Sequence, residues 1–253
     1  MIRLGTVKRW VKTFLGIPLP PALKQHDQYA YPFTKPTYFE SHVGASFLVL
    51  ACGPTIETES EQVLRFIEQN RPIVIGCNRI PSIYRPDYHL FINRRRLASY
   101  VHEVHPEAKL LIGATIPEPI VRGLIGERPY QKVMFQSHHP GKHGFYRMQD
   151  GIIYTEGSTV ALIGAGVALA MGARQIHMAG LDGYRHLGGD KHWYSESITK
   201  DTNKIMKRER IMGEVLDALV VHAQARSVDF GIITSTGYHK YYRGSSHAAE
   251  ANI

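Results

Sequence analysis

Phe47-Leu48-Val49-Leu50-Ala51-Cys52-Gly53-Pro54 is the stretch whose reading decides the fold. Five apolar residues in a row, followed by Cys52, Gly53, Pro54 and Thr55, read as a buried strand that ends in a tight turn. The next residues run from Glu57 to Ile67. They begin acidic and turn apolar at helical spacing. The order is strand, glycine turn, helix. In an open α/β sheet a ligand phosphate sits at such a turn, because the helix N-terminus offers unpaired N–H groups and the positive end of its dipole. The turn carries one glycine, not the three of a dinucleotide fingerprint, and lacks the Lys-Ser/Thr of a P-loop. Taken alone it describes a plain strand-to-helix turn equally well.

The same rhythm repeats outward. Pro72 to Asn78 reads as a second strand and Asp87 to Asn93 as a third, with a short helix opening at Arg94. Lys109-Leu-Leu-Ile-Gly113 is a fourth strand and Lys132-Val-Met-Phe135 a fifth. Residues 137–156 are turn-rich and read as a loop near the carboxyl edge of the sheet. Gly157 to Gly172 is a small-residue helix packed close to the sheet, with Ser158 or Thr159 as its cap. A strand from Ala173 to Asp182, a loop over 182–197, a long helix from about Lys200 to Ala225 and a last strand, Val228–Ile233, complete the pattern. Strands alternating with helices predict an α/β fold, a single Rossmann-like domain with a mostly parallel sheet covered on both faces.

Residues 1–46 precede this domain, which spans 47–234, and 235–253 form an aromatic, basic tail that reads as a lid over an anionic ligand or as a solvated end. In 1–16, Ile2, Leu4, Val7, Trp10, Val11, Phe14 and Leu15 line one helical stripe and Arg3, Lys8, Arg9 and Lys12 the other. Such a basic amphipathic helix either lies in an anionic membrane interface or docks on protein. Residues 17–46 read as an irregular arm. The chain has 253 residues and a formal charge of +8, which favours anionic partners. The two cysteines, Cys52 and Cys77, end strand-like runs and are expected as buried free thiols. No apolar run approaches the ~20 residues that cross a bilayer, and no secretory leader is apparent. The chain is expected in the cytoplasm, peripheral at most on the inner face of the membrane. Arg94-Arg95-Arg96 is short for a nucleic-acid footprint and reads as a solvated or phosphate-facing patch, so no nucleic-acid partner is expected. His138, His139 and His143 share one loop, but no paired ligand spacing accompanies them, and no metal is expected.

In an open sheet the strand ends face one crevice. Gly53-Pro54-Thr55, Cys77-Asn78, Asn93, Gly157-Ser158-Thr159 and Gly180-Leu181-Asp182-Gly183-Tyr184 would therefore converge. Carboxamides there can read a base or ribose edge, and helix starts can hold phosphate.

This ordered set resembles the bacterial lipooligosaccharide sialyltransferases (glycosyltransferase family 42) and related Rossmann-like proteins of surface-polysaccharide synthesis, over roughly residues 47–233. The resemblance implies a GT-A-type variant of the fold, a CMP-activated acidic sugar as donor, a glycan or glycolipid acceptor, and no cofactor or metal. Carried over by motif, Gly53, Pro54, Thr55, Asn78, Asn93, Gly157, Ser158, Thr159 and Asp182 would bind the nucleotide-sugar. Tyr184 would donate to the departing phosphate, which without a metal needs neutral donors or cations. His192 is the best positional match for the family's general base, with His186 and Glu196 as rivals. Tyr154 and Thr155 stand where the family has a basic residue, which leaves sialic acid and a Kdo-like ulosonic acid both open as donor sugar. A homo-oligomer is compatible with this reading. Two alternatives stand beside it: an ATP-dependent pterin pyrophosphokinase-like enzyme, which would need acidic metal ligands at strand ends, and a non-catalytic nucleotide- or sugar-binding partner module.

Overall fold

The structure, a computed structural model, describes residues 35–136, 146–155, 159–184, 192–194 and 202–244. Seven strands form one parallel sheet: β1 (Ser46–Leu50), β2 (Ile73–Cys77), β3 (Tyr88–Phe91), β4 (Lys109–Gly113), β5 (Tyr130–Val133), β9 (Gln175–Ala179) and β10 (Asp229–Ile232). Their order is β10-β9-β1-β2-β3-β4-β5. The chain moves outward from β1 to β5, then returns to the other side of β1, so the strand order reverses between β1 and β9. That is the Rossmann-like architecture expected from the sequence.

β1 explains why. It is buried from Phe47 to Leu50, with Phe47 paired to both Ile73 and Ile176. Parallel strands covered on both faces read as unbroken apolar runs. Phe47, Val49 and Ala51 belong to the core under helices α5 (Val160–Ala170) and α6 (Thr202–Gln224), while Leu48 and Leu50 pack with Val63 and Phe66 of α2 (Ser60–Asn70). The single helix expected after the turn is broken. α1 (Thr55–Thr58) stops at Glu59, which has φ −114° and ψ 25°, and α2 follows. Glu59 also leaves the helix run for a purpose: its carboxylate accepts the backbone N–H of Ser235, with a shortest contact of 3.0 Å.

α5 lies buried nearly all round. Gly164 lets it approach β1 and β2, since a Cβ there would meet Val49 Cγ1 at 3.0 Å. Gly166 does the same on the opposite side, where a Cβ would lie 2.6 Å from the Tyr146 hydroxyl. That tyrosine belongs to a second, three-stranded sheet of β6 (Phe135–Gln136), β7 (Tyr146–Gln149) and β8 (Ile152–Thr155), ordered β6-β8-β7. The loop expected over 137–156 is thus corrected for 146–155, which form an antiparallel hairpin. Its turn is Asp150-Gly151, both at positive φ (50° and 78°), as a two-residue hairpin with the right twist requires. The fifth strand begins two residues earlier than expected, at Tyr130. α4 (Glu118–Ile125), which the sequence reading does not name, joins α3 (Arg94–Tyr100) over the Leu110 and Ile112 face of β4.

Residues 35–45 run as turns along the C-terminal end of α5, where the Glu40 and His42 N–H groups donate to Ala170 and Met171 carbonyls at 2.8 Å. The tail through Gly244 is neither a lid nor a free end. Tyr242 bridges to Ile232, Arg243 N–H donates to the Ile232 carbonyl at 2.9 Å, and Tyr241 donates to Asp217 at 2.7 Å. This covers the β10 edge, which would otherwise present unpaired backbone groups. Both cysteines are buried thiols outside any disulfide, and the Cys52 thiol donates to the Cys77 carbonyl at 3.2 Å. Among the described residues no helix is long and apolar enough to cross a membrane. The amphipathic stretch 1–16 lies outside the described residues, as do His138, His139, His143 and the end segment 245–253.

Candidate functional site

The strand-order reversal places the crevice of an open sheet between the carboxyl ends of β1 and β9. Here it is filled by the chain itself. Gly53 N–H donates to the Gly180 carbonyl at 2.9 Å. A Cβ at Gly53 would meet the Asp182 carboxylate carbon and the Gly180 carbonyl, both at 2.5 Å, so only glycine fits. Asp182 Oδ2 accepts the Thr55 backbone N–H at 2.9 Å, and Asp182 Oδ1 accepts the Thr55 hydroxyl. Thr234 completes the group: its hydroxyl lies 3.0 Å from that of Thr55 and accepts the Gly180 N–H at 2.9 Å. Asp182 is 3% exposed and Thr55 and Thr234 are fully buried. The first turn of α1 therefore has an internal carboxylate where the sequence reading puts a ligand phosphate. Thr55 and Asp182 are turned on one another, and Pro54 serves the helix start, its carbonyl accepting Glu57 N–H at 3.0 Å.

An open cavity of about 260 Å³ lies further along the same edge, past the ends of β2 and β3. Asn78, Ile92, Asn93, Arg95, Arg96 and Val160 line it. Asn78 adopts the left-handed conformation, φ 53°, which asparagine tolerates better than most residues. Its N–H closes the ladder onto the Leu90 carbonyl at 3.0 Å, and its side-chain Oδ1 is buried with no hydrogen-bond partner among the described residues. Asn93 caps α3: its Oδ1 accepts the N–H groups of Arg95 at 2.9 Å and Arg96 at 3.3 Å. The cap holds the first turn, and with it both arginines, at the cavity wall. Val160 opens α5, whose cap is Thr159, accepting from Leu162 N–H at 3.3 Å. The positive end of an 11-residue helix thus lies with two arginines and two asparagines at this wall, and the Arg96 guanidinium also donates to the Tyr100 hydroxyl at 3.5 Å. Gly157 and Ser158 lie outside the described residues.

Such a set suits an anion bound beside a polar edge. Guanidinium forks match phosphate or carboxylate oxygens, and carboxamides match a base or ribose. The volume of about 260 Å³ falls a little below the about 300–1,000 Å³ of small-molecule sites, which leaves room for a small polar group.

Residues 192–194 dock on the other face of this edge. Trp193 N–H donates to the Cys52 carbonyl and its indole N–H to the Arg79 carbonyl, both at 2.9 Å. Trp193, like Ile80, packs against the core on the Leu48–Leu50 side of the sheet. Arg79 lies 5.2–5.5 Å from the rings of Tyr100, Trp193 and Tyr194, and Arg96 lies 5.9 Å from Tyr100 and 5.7 Å from Tyr194. His192 stacks on Tyr194, with centroids 5.0 Å apart. The chain of contact from His192 through Tyr194 to Arg96 ends at the cavity.

Tyr184 sits elsewhere. It packs on the α5–α6 face. Burial pushes its hydroxyl pKa up, Arg208 of α6 pulls it down and Glu209 raises it again. Neither Tyr184 nor His192 lines the cavity. His186 and Glu196, the rival bases, lie outside the described residues. The structure thus brings Asn78 and Asn93 together, sets Gly53, Pro54, Thr55 and Asp182 apart as a packed turn, and leaves Tyr184 and His192 on opposite faces. Arg95 and Arg96, read from the sequence as a patch, are cavity walls. His89 and Thr234 carry no signal in the sequence by spacing or motif, whereas Arg79 follows Cys77-Asn78 at the end of the second strand. Among the described residues no three His, Cys, Asp or Glu side chains gather as metal ligands would.

Comparison of the chain with protein families, curated proteins and solved structures finds no match.

Proposed function

We propose that the protein is a glycosyltransferase that moves an acidic sugar, sialic acid or a Kdo-like ulosonic acid, from a CMP-linked donor to a bacterial surface glycan without a metal. The observation that carries this reading is the cavity at the ends of β2 and β3, where Asn78, Asn93, Arg95 and Arg96 meet the N-terminal end of α5. Fixed cations and a helix end there would neutralise the charge that grows on CMP as the glycosidic bond breaks. Asn78, at the cavity wall, would offer its carboxamide to an amino or hydroxyl group of the nucleotide. The family resemblance assigns the acceptor hydroxyl proton to His192 and the leaving phosphate to Tyr184, although neither side chain lines the cavity. The acceptor would be a membrane-anchored glycan, reached from the cytoplasmic face with help from residues 1–16.

The pterin pyrophosphokinase-like reading loses ground because Asp182, its candidate strand-end ligand, spends both oxygens on Thr55. A non-catalytic binding module is favoured by a different observation: Tyr184 and His192 stand on opposite faces of the sheet and outside the cavity lining.

Thermal melting with CMP, CDP, UDP, GDP and ATP-Mg²⁺, each with and without EDTA, tests the reading. A ligand of the native state at ~100 times its dissociation constant adds about 2.7 kcal/mol. CMP should raise the melting temperature irrespective of EDTA, and stabilisation by ATP-Mg²⁺ alone would overturn the proposal. Release of CMP from CMP-sialic acid or CMP-Kdo then separates transferase from module.

A further inference from the structure

The left-handed Asn78 is held from behind by a histidine. His89 of β3 sits opposite Gly76 in the β2–β3 ladder and is 3% exposed. Its ring lies across β2, a position that Gly76 makes room for: a Cβ there would stand 3.1 Å from His89 Nδ1. The ring stacks on Phe91, with centroids 5.0 Å apart. Its Nε2 lies 2.8 Å from the backbone carbonyl of Asn78. A carbonyl only accepts, so Nε2 carries the proton. Burial pushes the imidazole down to about 4, which keeps the ring neutral at physiological pH and leaves Nδ1 bare. Asn78 is thereby pinned at both backbone ends, its N–H on Leu90 and its carbonyl on His89.

We infer that His89 is a positioning residue: through the Nε2–H bond to the Asn78 carbonyl it fixes the backbone twist that sets Asn78 at the cavity wall. The inference rests on the proposed nucleotide site and goes beyond it, since His89 touches no ligand. A left-handed residue relaxes readily toward the common right-handed or extended regions unless its surroundings over-determine it. Loss of the imidazole N–H would free Asn78 to turn away, and the cavity would lose a ligand acceptor with its arginines intact.

The test has two arms. Two-bond nitrogen–proton correlation spectra of labelled wild-type protein at neutral pH should show His89 as the Nε2–H tautomer; the Nδ1–H tautomer would overturn the inference. CMP affinity is then measured by calorimetry for wild type, His89→Leu, His89→Gln, Asn78→Gly and the double variant His89→Leu/Asn78→Gly. His89→Leu should weaken CMP about tenfold, the size of one hydrogen bond's effect on binding. His89→Gln, whose amide N–H can reach the same carbonyl, should recover most of it. In the Asn78→Gly background His89→Leu should change nothing further, because the group it positions is gone. An equal loss in both backgrounds, or no recovery with Gln, would contradict the role even if CMP binds. A wild type that does not bind CMP would instead remove the proposed function and the ligand-directed role of His89 together.

Discussion

The carboxylate of Asp182 accepts both the backbone N–H and the hydroxyl of Thr55, although the two residues stand 127 positions apart. This pairing occupies the turn after β1, where an open α/β sheet ordinarily receives a ligand phosphate. An internal anion satisfies the α1 start and closes the strand-order reversal. Any nucleotide must then use the next helix end along the same edge, which belongs to α5.

Thr55→Val should therefore act on stability and leave ligand binding alone. It removes a buried donor to a carboxylate, a loss of about 1–3 kcal/mol. Gly53→Ala should cost at least as much, since its Cβ would meet the Gly180 carbonyl at 2.5 Å and backbone cannot step aside cheaply. Urea denaturation midpoints check both, and CMP titration of Thr55→Val should return the wild-type affinity.

Acid should destabilise the fold through His89. In the folded state burial pushes its imidazole down to about 4, against an ordinary value of 6.5. Above pH 6.5 both states hold the ring neutral and the full stability is present. As pH falls below 6.5 the unfolded chain takes the proton first, and stability drops until the folded ring also protonates near pH 4. The whole effect is on the order of 3 kcal/mol. His222, also lowered by burial, adds to it in the same direction. Urea midpoints compared at pH 7 and pH 4.5 should show the decline, and His89→Gln should show a smaller one.

Arg95→Ala and Arg96→Ala should both weaken CMP binding, and Arg96→Ala should also lower the melting temperature, because it removes the contacts with Tyr100 and Tyr194. Arg95 is exposed, and its backbone N–H bond to the Asn93 cap survives the substitution. Each guanidinium that meets a phosphate is a charge-assisted contact of about 1.5–3 kcal/mol, a tenfold or larger loss of affinity. The wild-type affinity should fall with added salt, and less steeply in either variant.

Gly166→Val should destabilise without touching the cavity. The added atoms would press on the Tyr146 hydroxyl and Ile153, already 2.6 and 2.8 Å from a single Cβ. Overpacking of this kind costs about 1–3 kcal/mol. Chemical denaturation reads it, and an unchanged CMP affinity separates it from the site variants.

The sheet was legible because its strands are buried on both faces. Runs such as Phe47–Ala51 and Ile73–Cys77 need no partner to be recognised, and the small-residue helix announces close packing through Gly164 and Gly166. The β7–β8 hairpin is faint in the sequence because its strands are four residues long, and its one strong signal is the Asp150-Gly151 turn. At the site, Asn78 and Asn93 were legible as strand ends, since topology alone delivers strand ends to one edge. The Asp182–Thr55–Thr234 group was not: it joins three loops through side chains whose meeting depends on the crossing order of the sheet. The same holds for His89, whose role comes from lying across a glycine in the neighbouring strand. Arg95 and Arg96 gained a direction only when the Asn93 cap fixed the first turn of α3.

The location of CMP in a crystal of its complex tests the central claim most directly. The account predicts the phosphate at the start of α5, about 3 Å from Arg95 or Arg96 nitrogens, with Asn78 turned to the nucleoside and Asp182 still on Thr55. Phosphate bound at the Thr55 turn with Asp182 displaced, or CMP bound away from Asn78 and Asn93, would contradict it.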